Sequence, residues 1–316
     1  MENKLARDIS STSYQASYDR CCKMLLSHKI ILAHIMKECV EEFKDFDVKY
    51  ISENCIESNP EISTFNVHQG ENQKERINGL NTEDISVDEG TVRYDIRFVA
   101  VVPQSGEMIK LIINLEAQKD YYPGYPLIKR GIYYASRMIS SQYEVEFKEN
   151  DYSGIKKVYS IWVCTSVPKK YQNTITRYRF TEDNLVGEVK EHVKNYDLIN
   201  VIMVYLEDDN ENLPSGYNKM LKLLRVLLSD LMSPIKKKEV LNSDFDIKTD
   251  VKLEKELVDM CNLSSSVLER GIEQGIEQGK IEDLKNIMKN LKLTFEEAAN
   301  AMNIPEEKRA EYMEKI

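Results

Sequence analysis

The chain has 316 residues, of which 42% are hydrophobic and 30% charged, and its formal net charge is −10 at pH 7. This composition predicts a folded core and excludes collagen-like and broadly disordered proteins. The acidic balance argues against a protein that coats nucleic acid with its whole surface, but it is compatible with an enzyme that has a local basic groove.

Cysteine usage and hydropathy predict the cellular location. The six cysteines are scattered without a CxxC pair, which indicates neither a zinc site nor a disulfide framework. The N-terminal residues lack an apolar secretory core, and no apolar run approaches the roughly 18 residues of a membrane helix. We therefore expect a cytoplasmic protein without a membrane anchor.

The first predicted element is a helix over residues 18–44, where apolar side chains recur at helical spacing. Glu38 and Glu42 are four residues apart and would share one face of it. Residues 51–73 have few apolar positions and predict a connection, and a short strand is expected over 76–81. The Asp-Glu-Gly sequence at 88–90 indicates a turn.

Two adjacent strands are predicted next. Residues 91–102 alternate between two faces, and residues 108–119 do the same after a hairpin loop at 103–106. Asp95 lies on the polar face of the first strand, while Glu116 and Gln118 share one face of the second. If the strands pair as a hairpin, the three polar groups converge.

A helix is expected over residues 127–143, and it carries two stripes at helical spacing. One stripe is apolar and the other includes two arginines. The apolar stripe consists of Ile128, Ile132, Ala135 and Ile139, and the second of Arg130, Tyr134, Arg137 and Ser141. Residues 158–167 and 198–206 are nearly continuous apolar runs, typical of buried central strands. Residues 218–232 predict a Leu-rich amphipathic helix.

The composition changes after Pro234, where three consecutive lysines at 236–238 predict a charged linker. We therefore divide the chain into a domain at 1–235 and a helical C-terminal region at 236–316. Thr294 and Glu297 have the spacing of a capping box. The segment 293–305 is similar to a small helix-turn-helix, but its second half lacks basic residues, which favours helix packing or homo-oligomerisation over DNA reading.

The carboxylates of Asp95 and Glu116, with the amide of Gln118, are the hard oxygen ligands that Mg²⁺ prefers. A bound divalent ion can polarise a phosphate and lower the pKa of a bound water. The alternative is that these acidic side chains lie on a solvent-facing strand, where such residues are common and need not bind a metal. Asp95 could then simply pair with Arg93, Arg97 or Lys119.

Four segments also resemble a known family. They are 94–98 (YDIRF), 112–119 (IINLEAQK), 122–126 (YPGYP) and 130–140 (RGIYYASRMIS). Together they resemble the PD-(D/E)XK nuclease family transposases, which are relatives of the Rpn recombination-promoting nucleases. The resemblance covers most of residues 20–235, and the Gly-Ile-Glu-Gln repeat at 271–278 is similar to the family's helical C-terminus.

The resemblance implies an α/β fold with a restriction-endonuclease-like core, in which a mixed sheet is flanked by helices. It further implies that Asp95 and Glu116 bind Mg²⁺ or Mn²⁺ and that Gln118 replaces the lysine of the usual motif. A neutral amide can hydrogen-bond or ligate but cannot deprotonate water as a lysine can. The motif proline is also missing, because Tyr94 precedes Asp95.

Other residues are candidates with weaker support. Nucleases of this fold can take a further acid from the first helix, which here would be Glu42 or Glu38, although a solvated acidic face explains both. Glu83 and Asp84 are alternative candidates for this further acid if the first core strand reaches that far. Arg130, Arg137 and Lys119 are candidate contacts to DNA phosphates, but ordinary surface charge explains them equally well, and on a regular strand Lys119 points away from Glu116.

Two functions are therefore expected as rivals. The first is a Mg²⁺-dependent deoxyribonuclease that hydrolyses phosphodiester bonds, with a link to DNA recombination or transposition. The second is a catalytically inactive nuclease fold that serves as a binding or assembly module. The acidic pI, the missing motif lysine and the helical tail favour the second.

Overall fold

The computed structural model describes residues 16–57, 61–62, 83–86, 90–93, 95–104, 107–208, 218–306, 309 and 312–313. Within these, 61–62, 83–86, 90–93, 104, 107–110, 119–120 and 263–278 are described by their backbone alone. The chain forms two compact units. The larger is Asp19–Met260, and the smaller combines Cys261–Ile316 with Met1–Tyr18.

The described strands of the larger unit form a six-stranded mixed sheet and a separate two-stranded sheet. Their bounds are β1 Glu61–Ile62, β2 Glu83–Ser86, β3 Gly90–Arg93, β4 Ile96–Gln104, β5 Glu107–Asp120, β6 Val158–Ser166, β7 Thr174–Arg179 and β8 Ile199–Tyr205. The large sheet has the order β1-β4-β5-β6-β8-β7, and β2 pairs only with β3. The three central strands β5, β6 and β8 run parallel, whereas β1, β4 and β7 pair antiparallel with their neighbours.

The longer helices in the described part of the chain are α1 over residues 16–26, α2 Lys29–Cys39, α3 Leu127–Ser140, α4 Lys219–Leu228, α5 Pro234–Phe245, α6 Val251–Leu291 and α7 Phe295–Ala301. Helix α6 begins in the larger unit, and its later residues belong to the smaller one. This architecture confirms the predicted α/β class with a mixed sheet flanked by helices, whereas the restriction-endonuclease-like core stays a prediction.

Helix α3 covers one face of the sheet. It packs on β6 and β8 through a buried cluster that includes Tyr134, Met138, Trp162 and Val201. A methyl group on Gly131 would lie 2.6 Å from Val201 Cγ1 and 3.1 Å from Trp162 Nε1. Only glycine therefore lets the helix approach the sheet this closely.

The predicted apolar stripe of α3 packs on the sheet except at Ile132, because Ala135 is buried and Ile128 and Ile139 pack against the core cluster. Ile132 is 50% exposed, whereas Tyr134 and Arg137, which belong to the arginine-containing stripe, are buried. The face of α3 that packs on the sheet contains Gly131, Tyr134 and Met138, because the helix comes closest to the sheet at Gly131.

Residues of the opposite sheet face contact the region of α2. Tyr159 on this face donates a hydrogen bond from its hydroxyl to Glu42, which follows α2, and Ile202 lines a groove together with Cys39 of α2. The Sγ atom of Cys39 also lies 3.8 Å from Met220 Sδ in α4. Strands β6 and β8 therefore carry apolar side chains on both faces, as their sequences predict.

The predicted single helix over residues 18–44 is interrupted twice. Residues 27–28 separate α1 from α2, and Val40 is extended, so that Glu42 lies in a short 3₁₀ turn, Glu41–Phe43. The prediction that Glu38 and Glu42 share a helical face was wrong, because the helix ends at Cys39 between them. The predicted connection at 51–73 begins with a π-helical turn, Ile51–Cys55, and the strand expected at 76–81 lies outside the described residues.

The predicted linker is helical instead. Helix α5 begins after Ser233, whose side chain caps its N-terminus, and its Lys237 is fully buried. The ammonium group of Lys237 donates hydrogen bonds to the carbonyl oxygens of Leu227 and Ser229 at the end of α4. A lysine that satisfies helix-terminal carbonyls is structural rather than part of a linker. Helix α5 belongs to the larger compact unit, which extends to Met260.

The smaller unit has its own apolar cluster, which comprises Leu284, Ala298, Ala299, Ile304 and Tyr312. The predicted capping box is present, because Thr294 and Glu297 exchange hydrogen bonds at the start of α7. The apolar positions of the helix-turn-helix-like segment thus pack within their own unit. Among the described residues, no helix is both long and apolar enough to cross a membrane.

Candidate functional site

The strand predicted over residues 91–102 is divided, and the division lies beside Asp95. Strand β3 ends at Arg93 in the two-stranded sheet, and β4 begins at Ile96 in the large one. Ile96 pairs with Leu115 of β5, so continuing the antiparallel register by one residue sets Asp95 opposite Glu116. Two residues that are 21 positions apart in the chain are brought together in this way.

Two hydrogen bonds link Asp95 to the Glu116–Ala117 segment of β5. The backbone N–H of Asp95 donates to Glu116 Oε1 at 3.0 Å, and the backbone N–H of Ala117 donates to Asp95 Oδ2, also at 3.0 Å. Each carboxylate therefore accepts a backbone hydrogen bond from the other segment. These two hydrogen bonds fix the side chains of Asp95 and Glu116 beside the start of β4.

Helix α1 contributes a lysine to the same place. The ammonium nitrogen of Lys23 lies 2.8 Å from Asp95 Oδ1 and 2.7 Å from Asp19 Oδ2. The Lys23 side chain is 5% exposed, that of Asp95 is 15% exposed, and Glu116 is 3% exposed. We call Asp19, Lys23, Asp95 and Glu116 the acidic cluster.

Burial makes the charged forms of both central carboxyl groups costly. Burial raises the pKa of Asp95, and Lys23 opposes this rise by its positive charge. The pKa of Glu116 lies well above its usual value, first because of burial and second because of the negative charge of Asp95. Two buried like charges cannot both remain ionised without a compensating cation.

Arg130 from α3 lies beside the acidic cluster. Its guanidinium is 5.0 Å from the ring centre of Tyr134 and 5.3 Å from that of Trp162, and its Nη2 donates to the Tyr134 hydroxyl at 2.8 Å. Its positive charge opposes the rise in the pKa of Glu116. The aromatic contacts hold the guanidinium in one orientation, half-buried on the side of the sheet that carries Glu116.

Gln118 and Lys119 follow Glu116 on β5. Gln118 is half-buried and, by strand alternation, faces the same side as Glu116. Its backbone pairs with Cys164 of β6, two residues beyond the pairing of Glu116 with Trp162. The side chain of Lys119 lies outside the described part of the structure.

The two candidate acids of the N-terminal helices have other partners. Glu42 accepts hydrogen bonds from Lys157 Nζ at 2.9 Å and from the Tyr159 hydroxyl at 2.5 Å. Glu38 is exposed and accepts from the Asn218 side chain. Glu42 therefore belongs to a second, partly buried ion-pair network, which contains Glu42, Lys157, Tyr159, Asp197 and Asn200 and which we call the Lys157 network.

The remaining candidates are placed as follows. Arg137 is buried, with 4% of its surface exposed, and its Nη1 lies 3.5 Å from the Tyr133 hydroxyl. Arg97 donates to Ser141. Glu83 and Asp84 lie in β2 and pair with β3 outside the large sheet, and their side chains are not described.

Sequence reasoning missed Asp19 and Lys23. Their spacing of four residues is a usable signal, since it places both side chains on one helical face. It did not stand out because acid–lysine pairs at this spacing are common on solvent-exposed helices. Only the packing of α1 shows that Lys23 is buried against Asp95.

The donor set suits a hard cation in part. Asp95 and Glu116 offer two carboxylates, and Mg²⁺ is commonly held by one or two carboxylates together with water and substrate phosphates. Among the described residues, no group of three or more His, Cys, Asp or Glu side chains is arranged to hold a metal ion. A cation bound here would therefore depend on water or substrate oxygens.

Known proteins do not assign this chain to a family. No family model, curated protein or solved structure matches this chain. The resemblance to nuclease family transposases therefore remains a prediction, and any function has to be inferred from the residues and their geometry.

Proposed function

We propose that the chain is a metal-dependent DNA endonuclease with a PD-(D/E)XK-like core, in which Asp95 and Glu116 hold Mg²⁺ or Mn²⁺. The observation that supports this most strongly is the exchange of hydrogen bonds between Asp95 and the Glu116–Ala117 segment, at 3.0 Å each way. It brings together two buried carboxylates, and both have raised pKa values. Such perturbed pairs are concentrated at functional sites.

Each residue has a distinct proposed role. Asp95 and Glu116 would hold the cation through their carboxylate oxygens, and the cation would supply polarisation of the scissile phosphate and a more acidic water. Gln118, on the same side of β5 as Glu116, orients that water through its amide. Hydrolysis would form a bond from the water oxygen to phosphorus and break the bond to the leaving oxygen, which would take up the proton that the water gives up.

Arg130 is the residue best suited to contact a DNA phosphate. Its positive charge opposes the rise in the pKa of Glu116, and Tyr134 and Trp162 fix its orientation. Arginine donates several hydrogen bonds to phosphate oxygens in a planar arrangement. Arg137 is a weaker candidate, because it is buried.

The test is nicking of supercoiled plasmid DNA with Mg²⁺ or Mn²⁺. We expect Asp95→Asn and Glu116→Gln each to reduce the rate by roughly a hundredfold or more, because the loss of a ligand should exceed the 10–100-fold effects seen for supporting residues. The matched control is Asp197→Asn, which alters a buried, lysine-paired aspartate of the Lys157 network and should retain activity. Circular dichroism establishes that each variant is folded. Unchanged cleavage by both site variants would exclude the assignment.

One observation favours the inactive binding or assembly module instead. The ammonium group of Lys23 already neutralises Asp95 at 2.8 Å, so the cluster has an internal cation. Calorimetric titration of the wild-type protein with MnCl₂ distinguishes the two functions. The absence of binding at millimolar Mn²⁺, together with the absence of nicking, would support the inactive module.

A further inference from the structure

Lys23 is surrounded by more carboxyl groups than its single positive charge can neutralise. One ammonium group lies within 3 Å of two aspartates, and Asp95 in turn adjoins Glu116. The acidic cluster thus has three carboxyl groups and one amine. Arg130 acts on Glu116 from the α3 side.

The two aspartates that hold Lys23 differ in exposure. The side chain of Asp19 is 29% exposed, whereas that of Asp95 is 15% exposed and accepts a backbone hydrogen bond from Ala117. Asp19 lies on the same helix as Lys23, four residues earlier, so this contact does not depend on the position of β4. Lys23 can therefore give up Asp95 and remain paired with Asp19.

We propose that Lys23 is an internal counter-ion that competes with a divalent cation for Asp95, and that Asp19 retains the lysine when the cation binds. This inference rests on the proposed function only for the identity of the cation. Lys23 then sets the metal concentration at which the site fills. In the metal-free protein its ammonium group neutralises Asp95 and thereby stabilises the buried pair of carboxylates.

Opposite effects are expected for changes at the two ends of the ion pair. Removing the positive charge at Lys23 removes the competitor, so Mn²⁺ should bind more tightly. Removing the charge of Asp19 deprives the displaced lysine of its second partner, so Mn²⁺ should bind more weakly. A lysine with a purely structural role would not tighten metal binding when it is replaced.

The experiment is calorimetric titration of the full chain with MnCl₂ at a fixed pH. We expect Lys23→Met and Lys23→Gln to lower the dissociation constant by about tenfold or more, because a nearby unit charge contributes at least this much at an intermediate effective dielectric constant. We expect Asp19→Asn to raise it. Lys157→Met is the matched control, since Lys157 also bridges two carboxylates but lies in the other network.

The outcomes separate this inference from the proposed function. If the wild type binds Mn²⁺ and cleaves DNA but the folded Lys23 variants bind no more tightly, competition is wrong and the nuclease proposal stands. If only the Lys23 variants bind, competition is supported and the nuclease proposal fails. If no variant binds, both fail. Should both Lys23 variants fail to fold, Asp19→Asn decides, and unchanged or tighter binding by it overturns the inference.

Discussion

Lys23 and Lys157 of the larger unit each bridge two carboxylates, but their surroundings differ. In the Lys157 network, Nζ lies 2.9 Å from Glu42 and 2.5 Å from Asp197. The second oxygen of Glu42 accepts from the Tyr159 hydroxyl, and the second oxygen of Asp197 accepts from the Asn200 side chain. Each carboxylate there has a neutral donor in addition to the lysine.

The acidic cluster is built differently. Asp95 and Glu116 lie next to each other, and the donors that the structure shows for them are backbone N–H groups and Lys23. The negative charge of Asp95 raises the pKa of Glu116, so the two carboxylates oppose each other. We infer that a lysine-paired carboxylate has a structural role when its other neighbours are neutral hydrogen-bond donors. It is a candidate cation site when its neighbour is another carboxylate.

The largest expected effect is that of Lys157→Met. It leaves Glu42 and Asp197 without their shared cation, and breaking a buried pair costs about 3–5 kcal/mol of unfolding free energy. Added Mn²⁺ should not restore this loss, whereas it should restore part of the loss in Lys23→Met. Urea denaturation with and without 5 mM Mn²⁺, a concentration on the order of those used for weak metal sites, measures both. Equal recovery of the two variants would remove the distinction between the regions.

A smaller loss is expected for Tyr159→Phe. The change removes one hydrogen bond to the Glu42 carboxylate, and bonds to charged groups contribute about 1.5–3 kcal/mol. Burial, together with the negative charge of Glu42, raises the pKa of the Tyr159 hydroxyl, so it remains a donor at neutral pH. Urea denaturation at pH 7 measures the loss. A loss below about 0.5 kcal/mol would show that the network does not depend on this donor.

Glu116→Gln should change how stability depends on pH. Because the pKa of Glu116 is higher in the folded protein than in the unfolded chain, the folded state retains a proton that the unfolded state has lost. Wild-type stability should therefore fall as the pH rises from the unfolded pKa of Glu towards the raised one. The glutamine variant should show a shallower fall, measured as urea midpoints from pH 4 to pH 8, a window set by the ordinary Glu pKa of about 4.3. A slope identical to that of the wild type would contradict the shifted pKa.

Asp19→Asn should have the smallest effect on stability. Its side chain is 29% exposed, and a partly exposed i,i+4 ion pair contributes at most about 1 kcal/mol. Asp197→Asn, whose partner Lys157 is similarly bridged but whose side chain is 10% exposed, should cost more. Thermal melting of the two variants compares them directly. A larger loss for Asp19→Asn would mean that the acidic cluster is the more rigid of the two regions.

Local sequence patterns predicted most of the elements that form the core. The alternation at 108–119 and the apolar runs at 158–167 and 198–206 gave β5, β6 and β8 to within about two residues. The convergence of Asp95 with Glu116 also followed from pairing the predicted strands. The interruption after residue 26, the helix in place of the linker and the short strand β7 were not predicted, since each depends on contacts to distant residues.

The sequence by itself determined the α/β class, the order of the central elements and the pairing of Asp95 with Glu116, because periodicity in hydropathy is local information. Tertiary structure alone decided that Lys23 of α1 neutralises Asp95 and that Glu42 belongs to the Lys157 network. It also decided that Arg137 is buried while Arg130 remains half-exposed beside Glu116. The physical reason is burial: the same charged side chain is a solvated surface group or a costly internal one, depending on which helix covers it.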